Sequence, residues 1–194
     1  MKVLALNFSA PLQSWAGKSV LKTHVDTLRQ PSQRAIQGMI SAAYGVPRVP
    51  HGQDYPSPIS DLSIEVIPVR PGRIERDFQT VGSRADEIEY LTRVGKMISG
   101  NKKTKPLVAD AQGGTSIIRR TYLGDAWFLV LVKGQDDQQT EEVLEHLKKP
   151  VYSPYLGKKA FPPTFPFLLG LLSEDGAVRE AEAKILEIKE LLNG

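Results

Sequence analysis

The chain has 194 residues, 41% of them hydrophobic and 24% charged, a composition that supports one packed domain or two small ones and excludes disorder as the state of the whole. Its longest apolar run, Ala126 to Val132, is strand-sized, and it contains no cysteine, so a helix spanning a bilayer is not expected and disulfides, thiolate metal sites and cysteine nucleophiles are excluded. The net charge of +3 divides unevenly: residues 1–134 hold 18 Lys/Arg against 11 Asp/Glu, or +7, and residues 135–194 hold 7 against 11, or −4, which points to a polyanion-binding surface in the first two thirds.

Lys2 to Phe8 reads as a buried first strand, and its polar Asn7 comes too early for a signal-peptide core. A cytoplasmic, membrane-free protein is expected. Ser9 to Gly17 then leaves the sheet. From Ser32, Ile36, Met39, Ile40 and Ala43 fall on one helical face, with Pro31-Ser32 as the start and Gly45 as the stop. Residues 46–60, with four prolines, favour an extended surface loop. Leu62, Ile64 and Val66 alternate with polar residues as a second strand, which Pro68 and Pro71-Gly72 end.

Residues 79–122 are the least core-like part of the chain, and a projecting arm or long hairpin is expected there. Tyr122 and then Ala126 to Val132 give the strongest strand, apolar on both faces and therefore central. Thr140, Glu141 and Glu142 mark a helix start, Val143, Leu144 and Leu147 its apolar face, and Lys148-Lys149-Pro150 its end. A proline- and aromatic-rich tract runs from Pro150 to Phe167, Phe167 to Leu172 reads as another strand, and Ala177 to Leu192 forms a charged helix with one apolar stripe of Val178, Ala181, Ile185, Ile188 and Leu192. Strand, helix, strand, arm, strand, helix, strand is the split βαββαβ order of ferredoxin-like folds.

Catalytic templates fit poorly. His24, His51 and His146 lie at no metal-ligand spacing, and the chain has neither a phosphate-binding Gly-x-x-x-x-Gly-Lys string nor a Gly-x-Ser-x-Gly elbow. Asp136-Asp137 and Glu141-Glu142 read as a turn and a negatively charged helix start. Metal-independent RNA cleavage needs only a His, Tyr or Lys beside a 2′-hydroxyl; His24 with Lys22, or a tyrosine with Lys158, has the residue types for it, and nothing in the spacing selects them.

The most specific string is Pro150-Val151-Tyr152-Ser153-Pro154-Tyr155-Leu156-Gly157-Lys158-Lys159. Aromatic faces beside ammonium groups suit single-stranded RNA; the alternative is that both tyrosines pack on the core while the lysines are solvated. Arg119-Arg120 and Arg84 stand at the two roots of the arm, and Arg70, Arg73 and Arg76 surround the Pro71-Gly72 turn. Ion pairing with nearby acids competes with phosphate binding at both places. Gln13, Ser14 and Trp15 form a third group, either a binding loop or a packed plug.

In order along the chain, Ala10-Pro11-Leu12-Gln13-Ser14-Trp15, Pro31-Ser32-Gln33-Arg34, Asp77-Phe78-Gln79-Thr80-Val81, Arg120-Thr121-Tyr122-Leu123-Gly124-Asp125-Ala126 and Tyr152 through Pro162 resemble the CasD family of type I-E CRISPR Cascade subunits, within the RAMP superfamily of crRNA-binding proteins. Departures are Ala16 before Gly17, Gln33 with the basic Arg34 one place later, Gln79 for a histidine and Phe161 for a cysteine. The resemblance implies an α+β, ferredoxin-like (RRM-like) core over residues 1–78 and 119–172 and an inserted β-hairpin thumb over 79–118; the C-terminal helix over 173–194 is read from its own apolar stripe and is a further departure, since the resemblance implies a longer, strand-rich tail. It also implies a non-catalytic role: holding the repeat-derived 5′ tag of the crRNA and capping one end of the Cascade backbone, with the CasC backbone subunit and the large CasA subunit as partners. No cofactor, metal or catalytic residue is expected. Precursor crRNA cutting by relatives of another subtype keeps a metal-independent endoribonuclease as the alternative. The expected phosphate contacts are Arg34, Arg84, Arg119, Arg120, Lys158 and Lys159, and the expected stacking or shape contacts are Trp15, Tyr152 and Tyr155.

Overall fold

The computed structural model describes residues 1–16, 24–50, 52–81 and 116–193. Contacts divide the chain into a first unit of residues 1–17, 26–75 and 121–194 and a second of residues 18–25 and 76–120. The first unit is built on β1 (Lys2–Ser9), α1 (Gln33–Ala43), β4 (Ser63–Arg70), β7 (Trp127–Lys133), α2 (Asp137–Lys148) and β8 (Leu168–Ser173), followed by α3 (Ala177–Asn193). The other strands among the described residues are the short β2 (Leu12–Gln13) and β3 (His24–Val25) and the longer β5 (Arg73–Val81) and β6 (Ser116–Gly124).

The main sheet has the order β4-β7-β1-β8, with each neighbouring pair antiparallel. Taking β1, β4, β7 and β8 as the four strands of a βαββαβ unit, this is the ferredoxin-like arrangement, in which the second and third strands lie on one side of the first and the fourth on the other. β1 and β7 sit at the centre, so both their faces are covered and they read as continuous apolar runs. Leu4, Leu6, Phe8, Phe128, Val130 and Val132 pack with Ile36, Met39 and Ile40 of α1 and with Val143, Leu144 and Leu147 of α2. Val3, Ala5, Trp127, Leu129 and Leu131 project to the other face and pack with Ala177, Ala181 and Ile185 of α3.

Helix ends follow their local chemistry. The Ser32 side chain accepts from the Ala35 N–H at the start of α1, and Asp136 accepts from the Gln139 N–H at the start of α2, whose last turn carries His146 and Lys148. The second of these helices therefore begins before Thr140. The Thr140 hydroxyl is turned inward, accepting from the Gly134 N–H and donating to the Asp136 carbonyl.

Three strand boundaries differ from the sequence expectation. β4 continues through Pro68 to Arg70, because an edge strand needs no N–H on its outer side. A further strand, β5, begins at Arg73. The stretch expected as one strand from Tyr122 to Val132 is two, since β6 stops at Gly124 and Asp125 adopts a positive φ of 54° before β7 begins. β5 and β6 pair with each other; residues 82–115 of the expected thumb lie outside the described residues. In the second unit, β3 pairs parallel with β6 through His24↔Arg119 and Val25↔Arg120.

Candidate nucleic-acid interface

Proline and glycine shape the tract between α2 and β8, and hydrogen bonds fasten it to the first unit along its length. The N–H groups of Val151 and Tyr152 donate to the Ala43 and Ala42 carbonyls at 3.0 and 3.3 Å; the first satisfies an acceptor that the end of α1 leaves free, and the second shares the Ala42 carbonyl with the Gly45 N–H. Leu156 is fully buried; its carbonyl accepts from the Ser14 N–H at 3.1 Å and its N–H donates to the Phe161 carbonyl at 2.8 Å. Gly157 holds a φ of +89°, and a Cβ there would lie 1.5 Å from the Ser14 carbonyl oxygen, so backbone approaches backbone at a point only glycine allows. Beyond it, the Thr164 N–H and hydroxyl both donate to the Ser9 carbonyl.

On this frame Tyr152 is 61% exposed, Tyr155 is half-buried and Lys159 is exposed. Lys158 is held by Tyr122: its Nζ donates to the Tyr122 hydroxyl at 3.2 Å and lies 4.4 Å from the centre of that ring. The Phe161 ring meets Tyr122 edge-on at 5.4 Å. Tyr122 and Phe161 are thus members of the cluster that sequence reasoning missed. One reads as a strand residue and the other as a departure from a motif; the adjacent lysines were the signal that could have found them. From Pro150 to Ser173 the chain contains no Asp or Glu, so nothing in the tract itself offsets Lys158 and Lys159.

Other expected contacts are placed differently. Trp15 is 2% exposed, stacked on Phe8 with ring centres 5.9 Å apart, and its indole N–H donates to the Gln13 Oε1. Gln13, fully buried, also donates to the Phe8 and Ala126 carbonyls. The Gln13-Ser14-Trp15 group is therefore a packed plug, and its indole has no face free for a base. Arg34 is half-buried, donating to the Gln53 and Pro50 carbonyls at 2.7 and 2.9 Å while lying over the Tyr55 ring. It braces the 47–55 loop instead of standing free for a phosphate.

In the second unit Arg119 is exposed and sits 6.0 Å from the centre of the exposed Phe78 ring. Arg119 and Arg120 are consecutive in β6 and so point to opposite faces of the strand. They do not form one joint cationic spot. Arg84 and Lys22 lie outside the described residues. At the Pro71-Gly72 turn, Arg70 donates to the Asp125 backbone carbonyl and Arg73 pairs with Glu75 and Asp125, so the ion-pair account holds for Arg73. These acids push the Arg73 guanidinium above its ordinary range, the Glu75 hydrogen bond contributing most.

The sheet surface itself is not a platform for bases, because α3 covers the face opposite α1 and α2 with aliphatic contacts. No helix among the described residues is long and apolar enough to cross a membrane.

The family model described as CRISPR-associated protein (Cas_Cas5) matches residues 3–192. A solved structure described as "CRISPR RNA-guided surveillance complex" matches with 28% identity and a TM-score of 0.64, covering 90% of this chain and 65% of that one. Another, "Crystal structure of Cas protein", matches with 25% identity and a TM-score of 0.53, covering 89% and 65%. The chain thus spans about two thirds of the length of these structural relatives. No curated protein matches it. With a family model that runs almost from end to end and a ferredoxin-like sheet in agreement, the chain belongs to the CRISPR-associated Cas5 family.

Proposed function

We propose that this chain is the CasD-type subunit of a type I-E CRISPR Cascade surveillance complex, holding the repeat-derived 5′ tag of the crRNA and capping one end of the backbone. Its neighbours would be the CasC backbone subunit and the large CasA subunit. The observation that carries the reading is the acid-free tract at Tyr152 to Lys159, where Lys158 is locked against Tyr122 and Lys159 is open to solvent. Ammonium groups neutralise phosphates while exposed rings accept bases. Family membership and likeness to a chain of an RNA-guided surveillance complex support a role in such an assembly. The five ordered strings from Ala10 to Pro162 support the subtype.

In this role the protein binds RNA and leaves it intact, with no cofactor. Purified protein incubated with labelled repeat RNA in chelator tests this directly. Retention of full-length RNA is expected, whereas specific cleavage would establish the metal-independent endoribonuclease instead. Lys158→Ala with Lys159→Ala is expected to weaken binding for all sequences and to reduce the salt slope by roughly one unit for each phosphate no longer neutralised. Unchanged affinity and slope would remove the tract from the interface.

A further inference from the structure

Phe165 combines two properties that rarely coincide in a large apolar side chain. It is 91% exposed, and the backbone on both sides of it is fixed. Before it, the Thr164 N–H and hydroxyl donate to the Ser9 carbonyl at 2.7 and 2.8 Å. After it, the Asn7 Nδ2 donates to the Pro166 carbonyl at 2.9 Å and the Asn7 N–H to the Phe167 carbonyl at 2.8 Å. Asn7 is 2% exposed and lies in the central strand β1. The Phe167 ring is stacked on Phe8 of the same strand at 5.9 Å. The ring of Phe165 is therefore displayed from a mount tied to the sheet, and docking against it requires little further ordering of backbone.

We infer that Phe165 is a stacking platform for an unpaired nucleobase of the bound RNA, a contact that adds to those of Tyr152, Tyr155 and the two lysines and rests on the RNA-binding reading above. A phenyl ring with nearly all its surface in water is open to a flat apolar partner or to a protein pocket. The chemistry of the tract selects the first. Residues 150–173 carry two lysines and no acid; of their aromatic rings, those of Tyr152 and Phe165 are exposed and that of Tyr155 is half-buried, while Phe161 and Phe167 are taken up by Tyr122 and Phe8. Cations interleaved with rings are what single strands require, since every base has a π-face and every linkage a charge. Because the contact is made to a base face and not to a phosphate, it contributes affinity without contributing counterion release.

The test is direct binding of a labelled single-stranded tag RNA by the full chain, comparing Phe165→Ala, Phe165→Trp and the Lys158→Ala, Lys159→Ala pair over a range of salt. Phe165→Ala is expected to lower affinity by about tenfold or more, within the range for loss of one stacked base, and to leave the salt slope unchanged. Phe165→Trp is expected to restore affinity, and its indole fluorescence to be quenched as RNA is added, beyond the response of the parent chain with its buried Trp15 and Trp127. If Phe165→Ala binds RNA as the parent does while the lysine pair loses binding, RNA binding stands and the platform is refuted. Loss of subunit assembly by Phe165→Ala with RNA affinity intact would assign the ring to a protein pocket. If the parent chain binds no RNA at any salt, the underlying reading fails with it.

Discussion

Gly157 shows how much a single atom decides. Its positive φ and its contact with the Ser14 carbonyl leave a methyl group nowhere to go, and the obstacle is backbone that cannot rotate away. Gly157→Ala is expected to destabilise the fold by about 3 kcal/mol or more, at the upper end of single-substitution effects; denaturant unfolding checks this, and a loss below about 1 kcal/mol would mean that the loop relaxes freely. Tyr44 poses the opposite case. Its hydroxyl is buried with no hydrogen-bond partner among the described residues, its ring stacks on His146, and burial, reinforced by the charge of Glu142, pushes the phenol up to about 12. Its ordinary value is about 10. The folded chain therefore keeps this proton where the unfolded chain loses it, so the associated stability is complete below about pH 10 and falls as pH rises towards 12. Tyr44→Phe is expected to change stability at pH 7 by no more than about 1 kcal/mol and to flatten the decline above pH 10. Parallel unfolding-versus-pH curves for the two proteins would contradict it.

Among the elements, the helices are the most legible, because a stripe such as Ile36, Met39, Ile40 and Ala43 states both the structure and the face it buries. The C-terminal helix is equally legible as a helix, but the residues it buries on its own sheet are Ala177, Ala181 and Ile185, whereas Val178 of the expected stripe is 38% exposed; Ile185 is 2% exposed, and Ile185→Ala is expected to cost about 2–5 kcal/mol by thermal unfolding. A wild-type melting curve would show instead that α3 is docked too loosely to matter. Boundaries in the strands are harder to read. Pro68 looks like a terminator unless the strand is known to be at an edge, and the break between β6 and β7 depends on the left-handed backbone of Asp125, which no apolar pattern announces. The plug at Gln13 and Trp15 is ambiguous in sequence for a related reason. A loop tryptophan beside two polar residues has the same spelling whether it faces water or, as here, stacks on a strand residue beneath it. Arg34 likewise carries no mark in the sequence that its donors are taken by carbonyls 16 and 19 residues away.

For the whole molecule, charge summed over large blocks is a poor guide. The last 60 residues carry −4, yet their central stretch, 150–173, carries +2, so the flanks 135–149 and 174–194 hold −3 each. Those acids cluster on and around α2 and α3, helices that flank the cationic tract in sequence. A local sum centred on the tract would have found it. RNA bound there is expected to raise the melting temperature of the chain in proportion to the logarithm of its free concentration, and an unchanged melting temperature at saturating RNA would contradict a site on the folded form. The contact between Gly157 and Ser14 also gives such binding a reach beyond its own footprint. Ser14 shares its backbone with Trp15, which is stacked over the first strand, so the loop has no slack in which to move alone. Engagement of the tract should thus be legible as slowed amide hydrogen exchange at Ser14 and Trp15, residues that no strand of RNA needs to touch.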